Sequence, residues 1–103
     1  MRRAAKRDAN EAAIVTALEA VGATVERLSA KDAPDLLVGY RGVNVLLEVK
    51  RPAGKRGGTS HRDLLPGQAA WHAGWRGAAP VVARTVADAL AAIGVYVNQG
   101  AVL

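Results

Sequence analysis

Residues 34–50 read PDLLVGYRGVNVLLEVK, and this stretch determines the fold that we expect. Two apolar runs, Leu36–Tyr40 and Val43–Val49, flank the dipeptide Arg41-Gly42. Short runs rich in Val and Leu, separated by a dipeptide that ends in Gly, are typical of a β-hairpin. Gly at the second loop position supplies the positive φ that a tight hairpin turn needs. We therefore predict a hairpin with a two-residue loop.

The loop length fixes the register of this hairpin. The predicted pairs are Tyr40 with Val43, Gly39 with Asn44, Leu37 with Leu46, and Asp35 with Glu48. Residues directly opposite each other have Cβ atoms about 5 Å apart and share a sheet face. Lys50 lies on the face of Glu48 because side chains alternate along a strand. The hairpin is therefore expected to bring two carboxylates and one ammonium together.

This trio of charges has two explanations. Like charges side by side in a sheet repel each other, and a divalent cation between them removes the repulsion, because hard cations such as Mg²⁺ prefer carboxylate oxygens. The alternative is a salt-bridged sheet rim in which Lys50 neutralises one acid. The register argument leads us to favour a metal site, although a loop one residue longer would break the pairing.

Length and composition limit the classes of protein to consider. The 103 residues are enough for one domain, residues 1–103, with a modest core. Half of the residues are hydrophobic, but only 4% are aromatic and none is Phe, so the core must be thin and aliphatic. The absence of Cys excludes disulfides, thiolate zinc sites and a cysteine nucleophile. Two histidines do not make a zinc centre.

The charge distribution predicts an anionic partner. Net charge is +5, and the excess lies in an N-terminal arm, residues 1–7, and in a loop, residues 52–63, that we expect to be mobile without ligand. We expect phosphate contacts from Arg51, Lys55, Arg56, His61 and Arg62. The sequence has no apolar run of the roughly 20 residues that a membrane span requires, and its start lacks a secretory signal. We expect an intracellular, cytoplasmic protein without membrane contact.

A first helix is predicted from Asp8 to about Val21, with Gly22 ending it. Glu11 falls on the apolar face of this helix rather than on its solvent face. One explanation is a capping box, with Asp8 as the N-cap and Glu11 at the third helical position. The other is a role for Glu11 in the metal site, and the spacing leaves both open.

A second helix is predicted from Leu64 to about Arg76, with Pro66 in its first turn and Gly77 at its end. Gln68, Trp71 and Trp75 share one face of it. We expect the two tryptophans to anchor the core, with base stacking as the alternative. Gln68 is either a site residue or a buried amide bonded to backbone.

The remaining elements are shorter. Strands are predicted at residues 23–28 and 80–84, and a third helix follows Thr85 in a capping-box-like start and stops at Gly94. The order is helix, three strands, helix, strand, helix. Such an order predicts an α/β fold with a mixed sheet flanked by helices.

The spacing of Pro34-Asp35, twelve residues, and then Glu48-Val49-Lys50 resembles the PD-(D/E)xK nuclease signature. The element order resembles the restriction-endonuclease-like αβββαβ core of that superfamily. Within it, the chain looks most like the stand-alone virus-type replication-repair nuclease (VRR-NUC) domain of phages and bacteria, and residues 65–71, LPGQAAW, resemble that family's Gln-x-x-Trp region. The family often has Gly where this chain has Asp32, which weakens the subfamily assignment.

The resemblance implies roles for particular residues. Asp35, Glu48 and the Val49 carbonyl would hold Mg²⁺ or Mn²⁺, with Glu11 assisting. Lys50 would orient the attacking water or stabilise the phosphorane, and Gln68 would support the water or the metal shell. The implied catalytic set is Glu11, Asp35, Glu48, Lys50 and Gln68.

These observations favour a metal-dependent, structure-selective DNA endonuclease, a resolvase of Holliday junctions or other branched DNA being one form. A catalytically silent nucleic-acid-binding module on the same fold is the alternative, and a small structural protein with a salt-bridged rim is a third. We also expect a homodimer, because residues 94–103, GVYVNQGAVL, are mostly apolar and follow a complete-looking helix.

Overall fold

The computed structural model describes residues 8–52 and 64–96. The predicted basic arm, nearly all of the basic loop and residues 97–103 lie outside the described residues. The described elements are α1 (Glu11–Ala20), β1 (Thr24–Arg27), β2 (Leu36–Tyr40), β3 (Val43–Val49), α2 (Pro66–Gly74), β4 (Val81–Ala83) and α3 (Val86–Ala92). The predicted α/β class and order of elements are confirmed. None of these helices is long and apolar enough to cross a membrane.

The four strands form one mixed sheet in the order β1-β2-β3-β4. β2 is antiparallel to both of its neighbours, whereas β3 and β4 are parallel. A parallel pair needs a crossover connection, and the chain between these two strands, which contains α2, provides it. The predicted mixed sheet is confirmed.

The β2–β3 hairpin has the predicted register. The observed pairs include Tyr40 with Val43, Gly39 with Asn44 and Leu37 with Leu46. Arg41 and Gly42 have φ values of 50° and 81°, as a two-residue type I′ turn requires. The Arg41 guanidinium carbon lies 5.2 Å from the centre of the Tyr40 ring, which gives the exposed loop a cation–π contact.

One face of the hairpin carries the core. Because side chains alternate, Leu36 and Val38 of β2 point with Leu47 and Val49 of β3 towards α1 and α3. The buried core residues are all aliphatic: Ile14, Val15, Leu18, Ala23, Leu36, Val38, Leu47, Val49, Ala83, Ala89 and Leu90. This agrees with the predicted thin, aliphatic core, and it leaves the opposite face of the hairpin to α2.

The predicted cap of α1 is wrong. The helix starts at Glu11, and its N-cap is Asn10, which makes no side-chain capping bond. Asp8 contributes only its backbone carbonyl, which accepts from the Glu11 N–H at 3.0 Å. The other two expectations hold: Glu11 is buried on the apolar face, 3% exposed, and Gly22 follows the helix with a φ of 98°.

α2 is shorter than predicted, and its tryptophans do not anchor the core. The helix ends at Gly74, and Trp75 follows it with extended backbone, so Gly77 does not cap it. Trp71 is half-buried, Trp75 is 46% exposed, and neither belongs to the buried cluster. The two rings stack on each other instead, with centroids 4.8 Å apart.

The predicted start of α3 is confirmed. The Thr85 hydroxyl accepts from the Asp88 N–H at 3.0 Å. The Asp88 carboxylate accepts from the Arg84 N–H at 2.9 Å, one residue earlier than in a standard capping box. Gly94 ends the helix with a φ of 87°. These caps fix α3 directly after the edge strand β4.

Candidate active site

Asp35 and Glu48 meet at the open end of the hairpin. Continuing the observed register one position beyond Leu36 places Asp35 opposite Glu48. The Asp35 N–H donates to the Leu47 carbonyl at 3.0 Å, and Asp35 Oδ2 accepts from the Val49 N–H at 2.7 Å. The two carboxyl groups lie close enough together for the charge of Asp35 to raise the pKa of Glu48. The Asp35 side chain is thus held by the backbone of β3, the strand that also carries Glu48.

Glu48 is buried, 1% exposed, and its protonation state reflects this. The pKa of Glu48 is raised to about 8, mainly by burial and next by the charge of Asp35 and hydrogen bonding with it. Lys50 acts in the opposite direction, and the Asp8 charge adds a smaller increase. Because a buried carboxylate beside another carboxylate is disfavoured, Glu48 is mostly protonated at neutral pH.

Gln68 connects the hairpin to the first turn of α2. Its Oε1 accepts from the Lys50 ammonium at 2.8 Å and from the Leu65 N–H at 2.9 Å. Its Nε2 donates to Glu48 Oε2 at 3.3 Å. Gln68 is half-buried rather than buried. Its amide bonds to backbone, as one interpretation expects, and also to the side chains of Lys50 and Glu48. Pro66 places the helix start here because its fixed φ suits the first turn.

His72 was missed in the sequence. Its Nε2 lies 3.1 Å from Glu48 Oε1, and its side chain is 12% exposed. Burial lowers the pKa of His72, and the Lys50 charge lowers it further, so the contact with Glu48 is a hydrogen bond between neutral groups. The signal was present, since residues four apart share a helix face and His72 follows Gln68 by four.

Two further acids belong to the start of α1: Glu11 is its first residue and Asp8 precedes it. Glu11 Oε2 accepts from Arg27 Nε at 3.0 Å, which explains how a carboxylate can be buried on the apolar face. Asp8 is close enough to act on the pKa of Glu48, a proximity that no sequence pattern indicated. Within residues 8–52 and 64–96, no three His, Asp or Glu side chains are grouped to hold a metal ion.

Asn10 ties α1 to the end of the sheet. Its Nδ2 donates to the carbonyls of Lys50 and Arg84, both at 3.0 Å. These carbonyls directly follow the parallel strands β3 and β4. The Lys50 N–H in turn donates to the Ala83 carbonyl at 3.0 Å. The backbone around Lys50 is therefore held from both sides. The Asn10 Oδ1, the atom that would accept in a helix cap, has no hydrogen-bond partner among the described residues.

Of the residues predicted to contact nucleic acid, only Arg51 is described. It is exposed, and its carbonyl accepts from Arg84 Nη1 at 3.3 Å. The other four residues, Lys55, Arg56, His61 and Arg62, fall outside the described ranges. Arg51 follows Lys50 directly, so the basic segment, residues 51–62, begins next to Lys50 in the sequence.

Comparison with known proteins does not assign the chain to a family. No family model matches it, and neither the curated proteins nor the solved structures contain a match.

Proposed function

We propose that the chain is a metal-dependent endonuclease that hydrolyses phosphodiester bonds in DNA, on a fold like that of the restriction endonucleases. The observation that carries this proposal is the meeting of Asp35, Glu48 and Lys50 at one end of the hairpin, in the PD-(D/E)xK spacing. A salt-bridged rim fits less well. Glu48 is buried with a raised pKa, and the Lys50 ammonium bonds to an amide.

The carboxyl pair suits a hard divalent cation. The charge of Asp35 helps to raise the pKa of Glu48, so the two carboxyl groups are near neighbours, and a cation between them would offset both charges. Mg²⁺ keeps several waters and needs few protein ligands. Asp35, Glu48 and the Val49 carbonyl would hold Mg²⁺ or Mn²⁺. When bound, the cation supplies an electrophile that activates water and offsets charge on the phosphoryl oxygens.

Lys50 supplies the positive charge of the protein itself. Its ammonium is fixed by Gln68 Oε1, and Gln68 is fixed by the first turn of α2. This ammonium is positioned to donate to the attacking water or to a phosphoryl oxygen on which charge builds up. His72 bonds to the other oxygen of Glu48 and so orients that carboxyl group. His72 and Gln68 act as positioning residues.

The identity of a third acid separates two versions of the proposal. The resemblance implies Glu11, which bonds to Arg27, whereas the acid besides Asp35 whose charge raises the pKa of Glu48 is Asp8. We expect Glu11→Gln to lower stability through the lost ion pair and Asp8→Asn to weaken metal binding. Unfolding curves and Mn²⁺ titrations of both variants distinguish the two roles.

The basic segment would hold the substrate backbone. Contacts to phosphates position a nucleic acid without selecting a base sequence, in agreement with a structure-selective enzyme. Neutralising Lys55, Arg56 and Arg62 together is expected to flatten the dependence of log K on log salt by about 0.9 for each lost contact. An unchanged slope would show that these side chains do not touch the phosphates.

Cleavage of labelled branched and linear DNAs, with and without Mg²⁺ or Mn²⁺, tests the proposal. We expect metal-dependent cutting that Asp35→Asn and Glu48→Gln abolish. Glu26→Gln, which changes an exposed carboxylate of β1, is the matched control and keeps full activity. Cutting by either site variant would contradict the metal site. Salt-sensitive binding without any cutting would instead indicate a catalytically silent nucleic-acid-binding module.

A homodimer is part of the proposal, since two sites can then cut two strands of a junction. Val95 packs against the core and its N–H donates to the Leu90 carbonyl at 2.8 Å, whereas Tyr96 is 78% exposed. The rest of the apolar segment lies outside the described residues. Multi-angle light scattering across a dilution series tests this, and a monomer at tens of micromolar would contradict it.

A further inference from the structure

Trp71 and Trp75 form a stacked aromatic pair beside the carboxyl groups. They are the only two tryptophans of the sequence, and their ring planes differ by 12°. Leu37 and Leu46 of the hairpin line the same cavity as the two rings, with a volume of about 400 Å³. Almost half of the Trp75 surface remains exposed. The pair therefore presents a flat aromatic surface at the wall of an open apolar cavity.

The cavity and the carboxyl groups share one face of β3. Asn44, Leu46 and Glu48 alternate along this strand, so they point to the same side of the sheet. At about 3.4 Å per residue, Glu48 lies roughly 7 Å from Leu46 and roughly 14 Å from Asn44 along the strand. Contacts also connect the two places, because the Trp71 ring packs edge-on against His72, which bonds to Glu48.

We infer that this cavity binds an unpaired nucleobase of the strand that is cut, stacked on Trp75. The inference rests on the proposed endonuclease function. Every base has a π-face that stacks on an indole regardless of sequence, and the Asn44 amide at the rim can bond to the edge of a base. The positive net charge favours the phosphates that a base brings with it.

The position of the cavity determines which substrates would use it. Bases in a continuous duplex are stacked on each other and cannot enter. The distance from Glu48 corresponds to at most about four nucleotides of a stacked strand. The enzyme is therefore expected to prefer DNA with unpaired nucleotides within that distance of the cut, such as a flap or an open junction.

Tryptophan fluorescence tests the inference directly, because both tryptophans of the chain line this cavity. The protein is titrated in EDTA with a short oligothymidylate and with an abasic strand of the same length. We expect strong quenching by the oligothymidylate and little by the abasic strand. Equal quenching by both strands, or none by either, would overturn the inference.

Variants of Trp75 distinguish stacking from simple apolar cover. Trp75→Leu is expected to weaken binding of the oligothymidylate by about 5- to 150-fold, whereas Trp75→Tyr keeps an aromatic face and loses much less. Blunt duplex binding should change less than twofold. Tyr96→Ala, which removes an exposed aromatic side chain outside the cavity, is the matched control. If Trp75→Leu binds as well as Trp75→Tyr, stacking is refuted.

The two proposals can fail separately. A wild-type protein that cuts DNA with Mn²⁺ but shows no base-dependent quenching would retain the nuclease function and lose the base site. A protein that shows the quenching and the Trp75 effects but cuts none of the DNAs would retain the base site and lose the nuclease function.

Discussion

Replacing Glu48 by Gln is expected to stabilise the protein at neutral pH. The pKa of Glu48 is raised from 4.5 to about 8 in the folded state. Between these values the folded protein holds a proton that the unfolded chain has released. Stability therefore falls as pH rises through this window. A neutral amide in the place of the carboxyl group removes this dependence.

The size of the effect follows from the same values. Each pH unit above 4.5 costs the folded state about 1.36 kcal/mol, up to the folded pKa. At pH 7 the cost is roughly 3 kcal/mol, and at pH 4 it is close to zero. For a domain of this size, Glu48→Gln should raise the melting temperature at pH 7 by on the order of 10–20 °C.

Urea denaturation followed by circular dichroism in EDTA measures this effect at pH 4, 5.5, 7 and 8. The difference in the free energy of unfolding between Glu48→Gln and wild type should grow with pH. Glu26→Gln, a change at an exposed strand carboxylate, serves as control and should give a nearly constant difference. A Glu48→Gln difference that is the same at every pH would refute the reasoning.

Adding Mn²⁺ extends the test to the proposed metal site. A cation that binds only the folded state stabilises it by about 2.7 kcal/mol at 100 times its dissociation constant. Wild type should gain this stability at pH 8, where Glu48 gives up its proton easily, and gain less at pH 5.5. Glu48→Gln should gain little at either pH. Equal stabilisation of both proteins would place the cation elsewhere.

Three further variants test other contacts. Lys50→Ala should lower kcat by about 100-fold with a much smaller change in binding. Because the ammonium lowers the pKa of Glu48, the activity profile should also move to higher pH, and an unmoved profile would contradict this coupling. Gly67→Ala would place a Cβ 2.5 Å from Asp32 Oδ2 and should cost about 1–3 kcal/mol, which Asp32→Gly should largely restore in a double-mutant cycle of unfolding free energies. Asn10→Ala should cost about 1–3 kcal/mol, because two backbone carbonyls each lose a hydrogen bond from the Asn10 amide. Asn10→Asp turns a carboxylate towards the same carbonyls and should lower the free energy of unfolding further, as measured by urea denaturation.

The hairpin was predictable because its information is local. A two-residue loop sets the pairing of every residue outside it, and the alternation of side chains then places Asp35, Glu48 and Lys50 on one side. The burial of Glu11 was readable from helical periodicity for the same reason. The proximity of Asp35 and Glu48 could therefore be predicted without knowledge of the rest of the chain.

The errors concern the ends of helices and side chains whose partners are distant in sequence. Asn10 bonds to carbonyls 40 and 74 residues away, and no local pattern contains that information. Trp71 and Trp75 have the spacing of a core face, but α2 ends at Gly74, so the second ring leaves the helix. The helical spacing did contain His72, which was overlooked because a lone histidine carries little signal.

The backbone conformation explains why Asp can stand at position 32, where the family that the sequence resembles often has Gly. Asp32 has a φ of 64°, a value that glycine adopts without strain and that Asp tolerates better than most residues. Its carboxylate packs against Gly67 in the first turn of α2, where a negative charge is favourable. The position therefore requires a residue that tolerates left-handed backbone, and Asp meets that requirement.

The bridge made by Asn10 also sets the order in which a growing chain can complete this site. During synthesis the β2–β3 hairpin can form as soon as Val49 has left the ribosome, because its contacts are local. The carbonyl of Arg84 does not exist until 34 more residues have followed Lys50, and only then can Asn10 hold the ends of both parallel strands. The two carboxyl groups therefore meet early, whereas the backbone that carries the lysine is fixed late. A nascent chain would expose the acids without a firmly placed ammonium, so the proposed cutting activity would arise only after the edge strand has joined the sheet.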